Sequence, residues 1–173
     1  MKQLNSSFFK QDTIDVAKNL LGKVIKVWNK YWLIYETEAY KHKCDEASHA
    51  YWKKTERNKL MYDTYGYVYV YLIYWVHYCL NFTSDTIPGA VLIRWIVPFE
   101  NLKKIDFSKK IDWPGKLTKY FWIDKSFNWE NLENSNKIWV YDINYTPGNI
   151  IATPRIWISK AKDKLRRFII DKF

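Results

Sequence analysis

Alternating apolar and polar positions divide the chain into short elements of both secondary-structure types. Ile14, Ala17 and Leu21 recur at helical spacing after Asp12 or Thr13, either of which can cap a helix, and Gly22 suits its end. This pattern predicts a helix over residues 12–21. Two runs of β-branched and aromatic residues follow, and they predict strands at 24–27 and 32–37.

Residues 68–82 form a continuous apolar and aromatic run. As one strand it would extend over about 50 Å at ~3.3 Å per residue, whereas typical strands have about 5–6 residues. A β-hairpin with its turn near Tyr74 and Trp75 is the more economical interpretation, although neither residue is typical of turns.

The rest of the chain is less regular. A strand is predicted at 90–97, ended by Pro98, and another where Trp139 stands between Ile138 and Val140. Residues 116–121 predict a short helix, 41–66 a long polar loop and 154–173 a weakly patterned tail. With no repeat or linker, we expect one mixed α+β (α/β) domain over residues 1–173. Its core would be an antiparallel β-sheet with surrounding helices and a protruding hairpin.

Charge adds a functional constraint. Lys and Arg number 28 against 18 acidic residues, which gives a net charge of +10. This excess favours a polyanionic partner, with nucleic acid the first candidate and an anionic membrane surface the second. A merely soluble basic protein has the same composition. The apolar run at 68–80 is too short to span a membrane, and only 160–167 faintly resembles a basic amphipathic helix.

Cysteine and histidine provide little sign of a metal site. His42 and Cys44, and likewise His77 and Cys79, are separated by one residue, which is not the usual spacing of zinc ligands. We therefore expect no metal and no cofactor, since the chain also has no glycine-rich phosphate loop. Two cysteines without an export signal indicate a reducing, cytoplasmic location. A monomer is expected.

Two carboxylates stand out at the end of the second predicted strand. Glu36, Glu38 and Tyr40 alternate along it, so in an extended chain their side chains lie on the same face. A carboxylate that activates water, beside an aromatic ring that can hold an unstacked base, would suit hydrolysis of an N-glycosidic bond. Paired acids at a strand end are, however, more often solvated surface.

The predicted hairpin carries Tyr69 and Tyr71 on one face and Tyr74 at its turn. On a basic domain such a hairpin could insert into a DNA groove. The same residues also have high β-propensity, and they often simply pack against neighbours.

Taken together, ordered blocks of sequence resemble the alkyladenine (3-methyladenine) DNA glycosylase family. The blocks extend from about residue 8 to residue 168, in the order and at the spacing typical of that family. They include Leu20-Leu21-Gly22-Lys23, Glu36-Thr37-Glu38-Ala39-Tyr40, Asp45-Glu46-Ala47-Ser48-His49-Ala50, Arg57-Asn58, Tyr69-Val70-Tyr71, Tyr74, Cys79-Leu80-Asn81, Ala90-Val91-Leu92-Ile93-Arg94, Pro114-Gly115-Lys116-Leu117, Asp124-Lys125-Ser126-Phe127 and Pro154-Arg155-Ile156.

The resemblance implies a monofunctional glycosylase that flips a damaged purine out of double-stranded DNA and needs no metal. It implies that Glu38 is the general base and that Arg94 lies near the attacking water. It places the flipped base among Tyr40, His49 and Tyr71, with Asn81 excluding normal guanine. It makes Tyr74 the residue inserted into the minor groove. The DNA contacts implied by the same matches are Val76, Arg57, Lys116 and Lys125. A nucleoid-associated cytoplasmic enzyme would follow. The alternative from another class is a non-catalytic nucleic-acid-binding module.

The chain departs from the family where glycine is expected. It contains 10 Trp and only 5 Gly, whereas average usage would give about twelve Gly. Positions that favour glycine carry tryptophan instead: Trp32, Trp52, Trp75, Trp113, Trp122, Trp129 and Trp157. We hypothesise that a codon read as glycine by the organism has been rendered as tryptophan.

Overall fold

The structure, a computed structural model, describes residues 1–84, 88–101 and 105–171. Within them, nine strands form one antiparallel sheet with four α-helices around it. The strands are β1 (Lys2–Gln3), β2 (Val24–Val27), β3 (Lys30–Lys41), β4 (Val68–Ile73), β5 (His77–Ser84), β6 (Gly89–Pro98), β7 (Ile138–Asp142), β8 (Ile150–Thr153) and β9 (Arg167–Ile170). The helices are α1 (Ser6–Phe9), α2 (Thr13–Asn19), α3 (Lys59–Asp63) and α4 (Pro114–Phe121).

Every strand pair in the sheet is antiparallel, as predicted. The order is β1-β7-β2-β3-β6-β5-β4, and β9 pairs with both β3 and β8. Strand β3 is central because it contacts β2, β6 and β9 at different points along its length. The register between β3 and β6 shifts around Glu36, as in a β-bulge, and β9 pairs with β3 from Glu36 to Glu38.

The core lies between the sheet and helices α2 and α4. Its largest fully buried side chains include Phe9, Phe82, Phe121 and Phe168. Helix α2 begins where the Asp12 side chain accepts a hydrogen bond from the Ile14 N–H at 2.8 Å. This confirms the predicted cap, although the helix is shorter than residues 12–21.

The predicted hairpin is confirmed, with β4 and β5 joined by a three-residue tip, residues 74–76. The second predicted strand was too short: β3 continues to Lys41, so both carboxylates lie within a strand. The polar side chains of Glu36 and Glu38 resemble the end of a strand in the sequence. In the structure they are buried and hydrogen-bonded to other side chains.

Two other expectations need correction. Helix α3 lies inside the region predicted to be loop. Residues 160–166 contain no helix and lead into β9, so the faint amphipathic helix that favoured a membrane surface does not form. No helix in the described ranges is long and apolar enough to cross a membrane.

Candidate active site

Glu38, near the C-terminal end of β3, is completely buried. The Tyr40 hydroxyl donates a hydrogen bond to its Oε2 at 2.7 Å, and the Ile156 N–H donates to its Oε1 at 3.1 Å. Arg94 on β6 places Nη1 3.5 Å from the same Oε1. Burial raises the pKa of the Glu38 carboxyl, although Arg94 and the two hydrogen bonds oppose this rise. Glu38 is thereby suited to exchange a proton closer to neutral pH.

Glu36 lies beside Glu38 but has a different environment. Arg94 Nε donates to Glu36 Oε1 at 2.8 Å, and Arg167 Nη1 donates to the same oxygen at 3.2 Å. Two guanidinium groups therefore contact Glu36, and Arg94 forms ion pairs with both carboxylates. The shared face expected for Glu36, Glu38 and Tyr40 is present, and only Glu38 has the Tyr40 hydroxyl as donor.

A cavity of 540 Å³ opens in front of this buried carboxylate. Tyr40, Arg94 and Ile156 contact Glu38 and also line the cavity, so they separate the carboxylate from the open space. The other lining residues come from the hairpin, β6, the start of α4, the loop beyond β3 and the segment between β8 and β9: Arg57, Tyr71, Leu72, Ile73, Tyr74, Cys79, Leu92, Trp113, Pro114 and Trp157. Its size suits a base with its sugar.

A second, much smaller cavity of 20 Å³ adjoins the first. It shares Tyr40 and Tyr71 with the large cavity and adds His49 and Asn81. Ligand pockets usually measure about 300–1,000 Å³, so a purine would have to part these side chains to enter. The structure brings the four predicted base-binding residues together in this nearly closed state.

His49 lines the small cavity, and part of its surface is exposed to solvent. Its ring meets Tyr71 edge to face with 4.6 Å between centroids, and its Nδ1 is 3.0 Å from the Tyr69 hydroxyl. Desolvation, followed by the nearby Arg57 charge, lowers the pKa of His49 to about 4. The imidazole is therefore neutral at physiological pH and can accept a hydrogen bond from Tyr69.

Asn81 and Tyr71 are held by their own contacts. The buried Asn81 amide donates from Nδ2 to the carbonyl oxygens of Tyr69 at 3.1 Å and Cys79 at 3.2 Å. Because both amide hydrogens are used, the orientation of this side chain is defined. Burial, with the adjoining Cys79 thiol, raises the pKa of Tyr71 well above its usual value, so its phenol stays neutral.

The hairpin tip projects from the same side of the domain. Tyr74 and Val76 are 67% and 70% exposed, although both are large apolar side chains. Arg57 and Lys125 line a groove of 690 Å³ beside Tyr74. Lys116 lies one residue beyond Gly115 on α4, is exposed, and lines neither this groove nor the 540 Å³ cavity.

Sequence reasoning assigned no role to several groups that build the site. Asp45, Arg155, Arg167 and the Ile156 backbone all contact the carboxylate strand or its neighbours. Asp45 and Arg155 do stand in the quoted blocks of resemblance, which was the available signal. Among the residues that the structure describes, no group of three or more His, Cys, Asp or Glu side chains could hold a metal ion.

A buried carboxylate behind an aromatic cavity, next to an exposed hairpin on a basic domain, defines an enzyme-like site open to a polyanionic partner. Comparison with known proteins makes this specific. The sequence model of the family described as methylpurine-DNA glycosylase matches residues 7–172. The chain therefore belongs to the methylpurine-DNA glycosylase family.

Several curated relatives are similar in sequence to this chain over most of their length. A protein of Clostridium novyi (strain NT), named "Putative 3-methyladenine DNA glycosylase", is 43% identical over 98% of this chain and 96% of its own. Proteins with the same name from Sodalis glossinidius and Ehrlichia ruminantium (strain Welgevonden) are 42% and 39% identical, over 95% and 96% of this chain and 95% and 88% of theirs.

Proposed function

We propose that this chain releases alkylated or deaminated purines from double-stranded DNA by hydrolysing the N-glycosidic bond, with Glu38 as the general base. The observation that carries the proposal is the buried Glu38 carboxylate, whose pKa is raised and which adjoins an aromatic-lined cavity. In the reaction Glu38 accepts a proton from water while the water oxygen bonds to C1′ of the sugar. The bond from C1′ to the base nitrogen breaks, and its electron pair leaves with the base.

The geometry supports a route for the water. It would reach Glu38 from the 540 Å³ cavity, between the groups that both line this space and contact the carboxylate: Tyr40, Arg94 and Ile156. The positive charge of Arg94 would stabilise the ionised carboxylate and attract the phosphate of the target nucleotide. No amine nucleophile is required, so the proposed enzyme is a monofunctional hydrolase without metal or cofactor.

The remaining residues suit the handling of duplex DNA. Flipping a base costs a few kcal/mol, less for a damaged one, and stacking in a pocket offsets this cost. Tyr40, His49 and Tyr71 would hold the flipped base, and the fixed Asn81 amide would clash with the exocyclic amine of guanine. Tyr74 and Val76, exposed at the hairpin tip, would fill the space that the base leaves.

Basic side chains around the openings would contact the phosphates: Arg57 and Lys125 beside the hairpin and Lys116 on α4. The proposed enzyme acts as a monomer in the cytoplasm, associated with the nucleoid.

Replacing Glu38 by Gln tests the mechanism, because it retains the shape of the side chain and removes its basicity. We expect single-turnover release of bases from alkylated duplex DNA to fall by about 10²- to 10⁴-fold, the usual contribution of a general base. Binding to the same duplex should persist. Glu133→Gln is the control, since the Glu133 carboxylate accepts from the Ser6 N–H and lines neither cavity.

Two outcomes would overturn the proposal. Full base release by Glu38→Gln would exclude Glu38 as the general base. Tight DNA binding with no base release by the unaltered chain would instead indicate a non-catalytic nucleic-acid-binding module.

A further inference from the structure

Arg155, in the segment between β8 and β9, forms a fully buried ion pair with Asp45. Its Nη1 and Nη2 donate to Oδ2 and Oδ1 of Asp45 at 2.9 and 2.5 Å. Both side chains are 0% exposed. The Arg155 Nη1 also donates to the carbonyl oxygen of Ala39 on β3 at 2.9 Å. The guanidinium thus joins two distant parts of the chain in a two-pronged geometry.

Asp45 connects this pair to the loop that leads to His49. Its Oδ2 accepts from the Lys41 N–H at 2.9 Å, and its carbonyl oxygen accepts from the Ser48 N–H at 2.8 Å. Arg166 provides a second cation, with Nη1 3.0 Å from Oδ2. Asp45 therefore connects the end of β3, through its carboxylate, to the residue just before His49, through its backbone carbonyl.

Arg155 reaches the reaction centre by two routes. Its guanidinium carbon lies 4.5 Å from the centre of the Tyr40 ring. The next residue along the chain, Ile156, provides the N–H that donates to Glu38 at 3.1 Å. A shift of Arg155 would displace both donors that hold the Glu38 carboxylate.

Stability alone does not explain such a pair. Desolvating two charges offsets their attraction, so apolar replacements of buried ion pairs are often neutral or stabilising. What the charged pair provides is a defined geometry, because bidentate hydrogen bonds restrict the position of the guanidinium.

We propose that Arg155, held by Asp45, is a positioning residue that aligns Tyr40 and the Ile156 N–H on Glu38 and couples them to the His49 loop. This inference rests on the proposed function, since it concerns the geometry of the same reaction.

Arg155→Lys tests it, because lysine keeps the charge and loses the two-pronged pair. We expect the rate of base release under single-turnover conditions to fall by about tenfold to a hundredfold, because small misplacements of catalytic groups cause losses of this size. Affinity for a duplex containing an abasic site should change little. Asp45→Asn should have the same effect.

The pH profile separates positioning from general destabilisation. A weakened Ile156 N–H contact favours the protonated form of Glu38, so the acidic limb of the rate profile should move to higher pH. The charged and titratable groups around Glu38 are Glu36 and Tyr40 on β3, Cys79 on β5, Arg94 on β6, Arg155 before β9 and Arg167 on β9. None of these other groups is altered in Arg155→Lys.

Glu130→Gln is the matched control, because it breaks the partly buried Lys137–Glu130 pair, whose atoms are 2.8 Å apart, away from both cavities. It should lower the melting temperature and leave the rate profile in place. A second variant, Asp45→Leu with Arg155→Met, replaces the pair by apolar groups and is expected to fold. It should still show the slow rate and the shifted limb.

The outcomes distinguish this inference from the proposed function. If Glu38→Gln is inactive and Arg155→Lys keeps the full rate with an unshifted limb, only the positioning role is wrong. Failure of both Arg155 variants to fold would also overturn it, since the pair would then be required for the fold itself. Full activity of Glu38→Gln would refute the proposed function instead.

Backbone geometry carries a second, independent inference about five tryptophans. Trp28, Trp75, Trp122, Trp129 and Trp157 have φ values of 55°, 62°, 57°, 71° and 62°. Only a few per cent of non-glycine residues have positive φ, and for bulky residues it is an outlier. All five side chains are exposed, between 47% and 92%. Burial therefore does not compensate for the strain.

Three of these positions are ones where glycine is specifically favoured. Trp28 is the first residue of the two-residue loop between β2 and β3, a place typical of glycine in hairpins. Trp129 is the third residue of a type II turn, closed by the Glu130 N–H bonding to the Phe127 carbonyl at 3.2 Å. The third position, Trp122, ends a helix, so the three positions belong to three different kinds of turn.

Trp122 follows α4 in the left-handed conformation, with φ 57° and ψ 37°. The Ile123 N–H bonds to the Thr118 carbonyl at 2.8 Å, and the Trp122 N–H to the Lys119 carbonyl at 3.3 Å. This is the Schellman pattern, whose left-handed residue is usually glycine.

The other tryptophans do not share this geometry. Trp32, Trp95 and Trp139 lie in strands, and neither Trp52 nor Trp113 has positive φ. The earlier hypothesis that glycine belongs at Trp32, Trp52 and Trp113 therefore has no support from the backbone. We infer that the five left-handed positions are glycine in the cellular protein, because their codon is read as glycine rather than tryptophan.

The test is to read the five codons and to determine the peptide masses of the protein purified from its own cells. We expect one shared codon other than UGG at these positions and glycine in the peptides. UGG at all five positions, or tryptophan in the peptides that cover them, would overturn the inference.

Discussion

Replacing Trp122 by Gly should stabilise the fold, although the change deletes the largest side chain. A left-handed conformation costs a non-glycine residue about 1–2 kcal/mol, and glycine adopts it freely. The greater entropy of glycine in the unfolded chain subtracts about 0.5–1 kcal/mol. Little packing is lost, because Trp122 is 85% exposed. The expected net gain in the free energy of unfolding is about 0.75 kcal/mol, the middle of a range of about 0–1.5 kcal/mol, or roughly 1.5–3 °C in melting temperature for a domain of this size.

Trp52→Gly provides the matched comparison. Trp52 is 76% exposed but does not have positive φ, so glycine relieves no strain there and only adds unfolded-state entropy. Urea unfolding followed by circular dichroism avoids the loss of tryptophan fluorescence, and an unchanged slope would show that the midpoint reports stability. The reasoning is refuted if Trp122→Gly is no more stable than Trp52→Gly.

Two further predictions concern the site. Tyr40→Phe removes a hydrogen bond that favours ionised Glu38, so the already raised pKa of Glu38 should rise further. Because the base must be ionised, activity should then be lost at a higher pH as the pH falls. A limb that moves equally in Tyr71→Phe, whose hydroxyl interacts with Cys79, would contradict this. Tyr74→Ser should weaken binding to lesion-containing duplex far more than to single strands, which contain no vacated stack to fill. Equal losses in both titrations would exclude insertion by Tyr74.

The sequence predicted those elements whose buried residues form a recognisable apolar pattern along the chain. The β4–β5 hairpin was recognisable because one strand of that length would exceed ordinary dimensions and its apolar run had no other economical arrangement. The predicted strand ended at residue 37, whereas β3 continues to Lys41, because the polar groups of Glu36, Glu38 and Tyr40 resemble a strand end. Their burial depends on partners from β6, β9 and the segment after β8, which periodicity cannot identify.

The same limit applies more strongly to the site. Asp45 and Arg155 are 110 residues apart, and neither lies in an element with a distinctive pattern. The sequence could indicate Glu38 and the aromatic residues, because they stand in the blocks that resemble the family. The Ile156 N–H meets Glu38 only when β9 pairs with β3 and β8 pairs with β9, because Ile156 lies in the segment between these two strands.

Two of the five tryptophans with positive φ lie beside the proposed reaction centre. Trp75 follows Tyr74 at the hairpin tip and lines the groove beside it, and Trp157 follows Ile156 and lines the cavity in front of Glu38. A tryptophan that relaxes towards negative φ at position 157 would rotate the adjoining peptides, including the region that holds the Ile156 N–H. Since that N–H lies 3.1 Å from the Glu38 carboxylate, a displacement of about 1 Å would break the hydrogen bond. At positions 28, 122 and 129, which line neither cavity, glycine matters for stability. At position 157 it also matters for the reaction, because the backbone there presents a donor to the proposed general base.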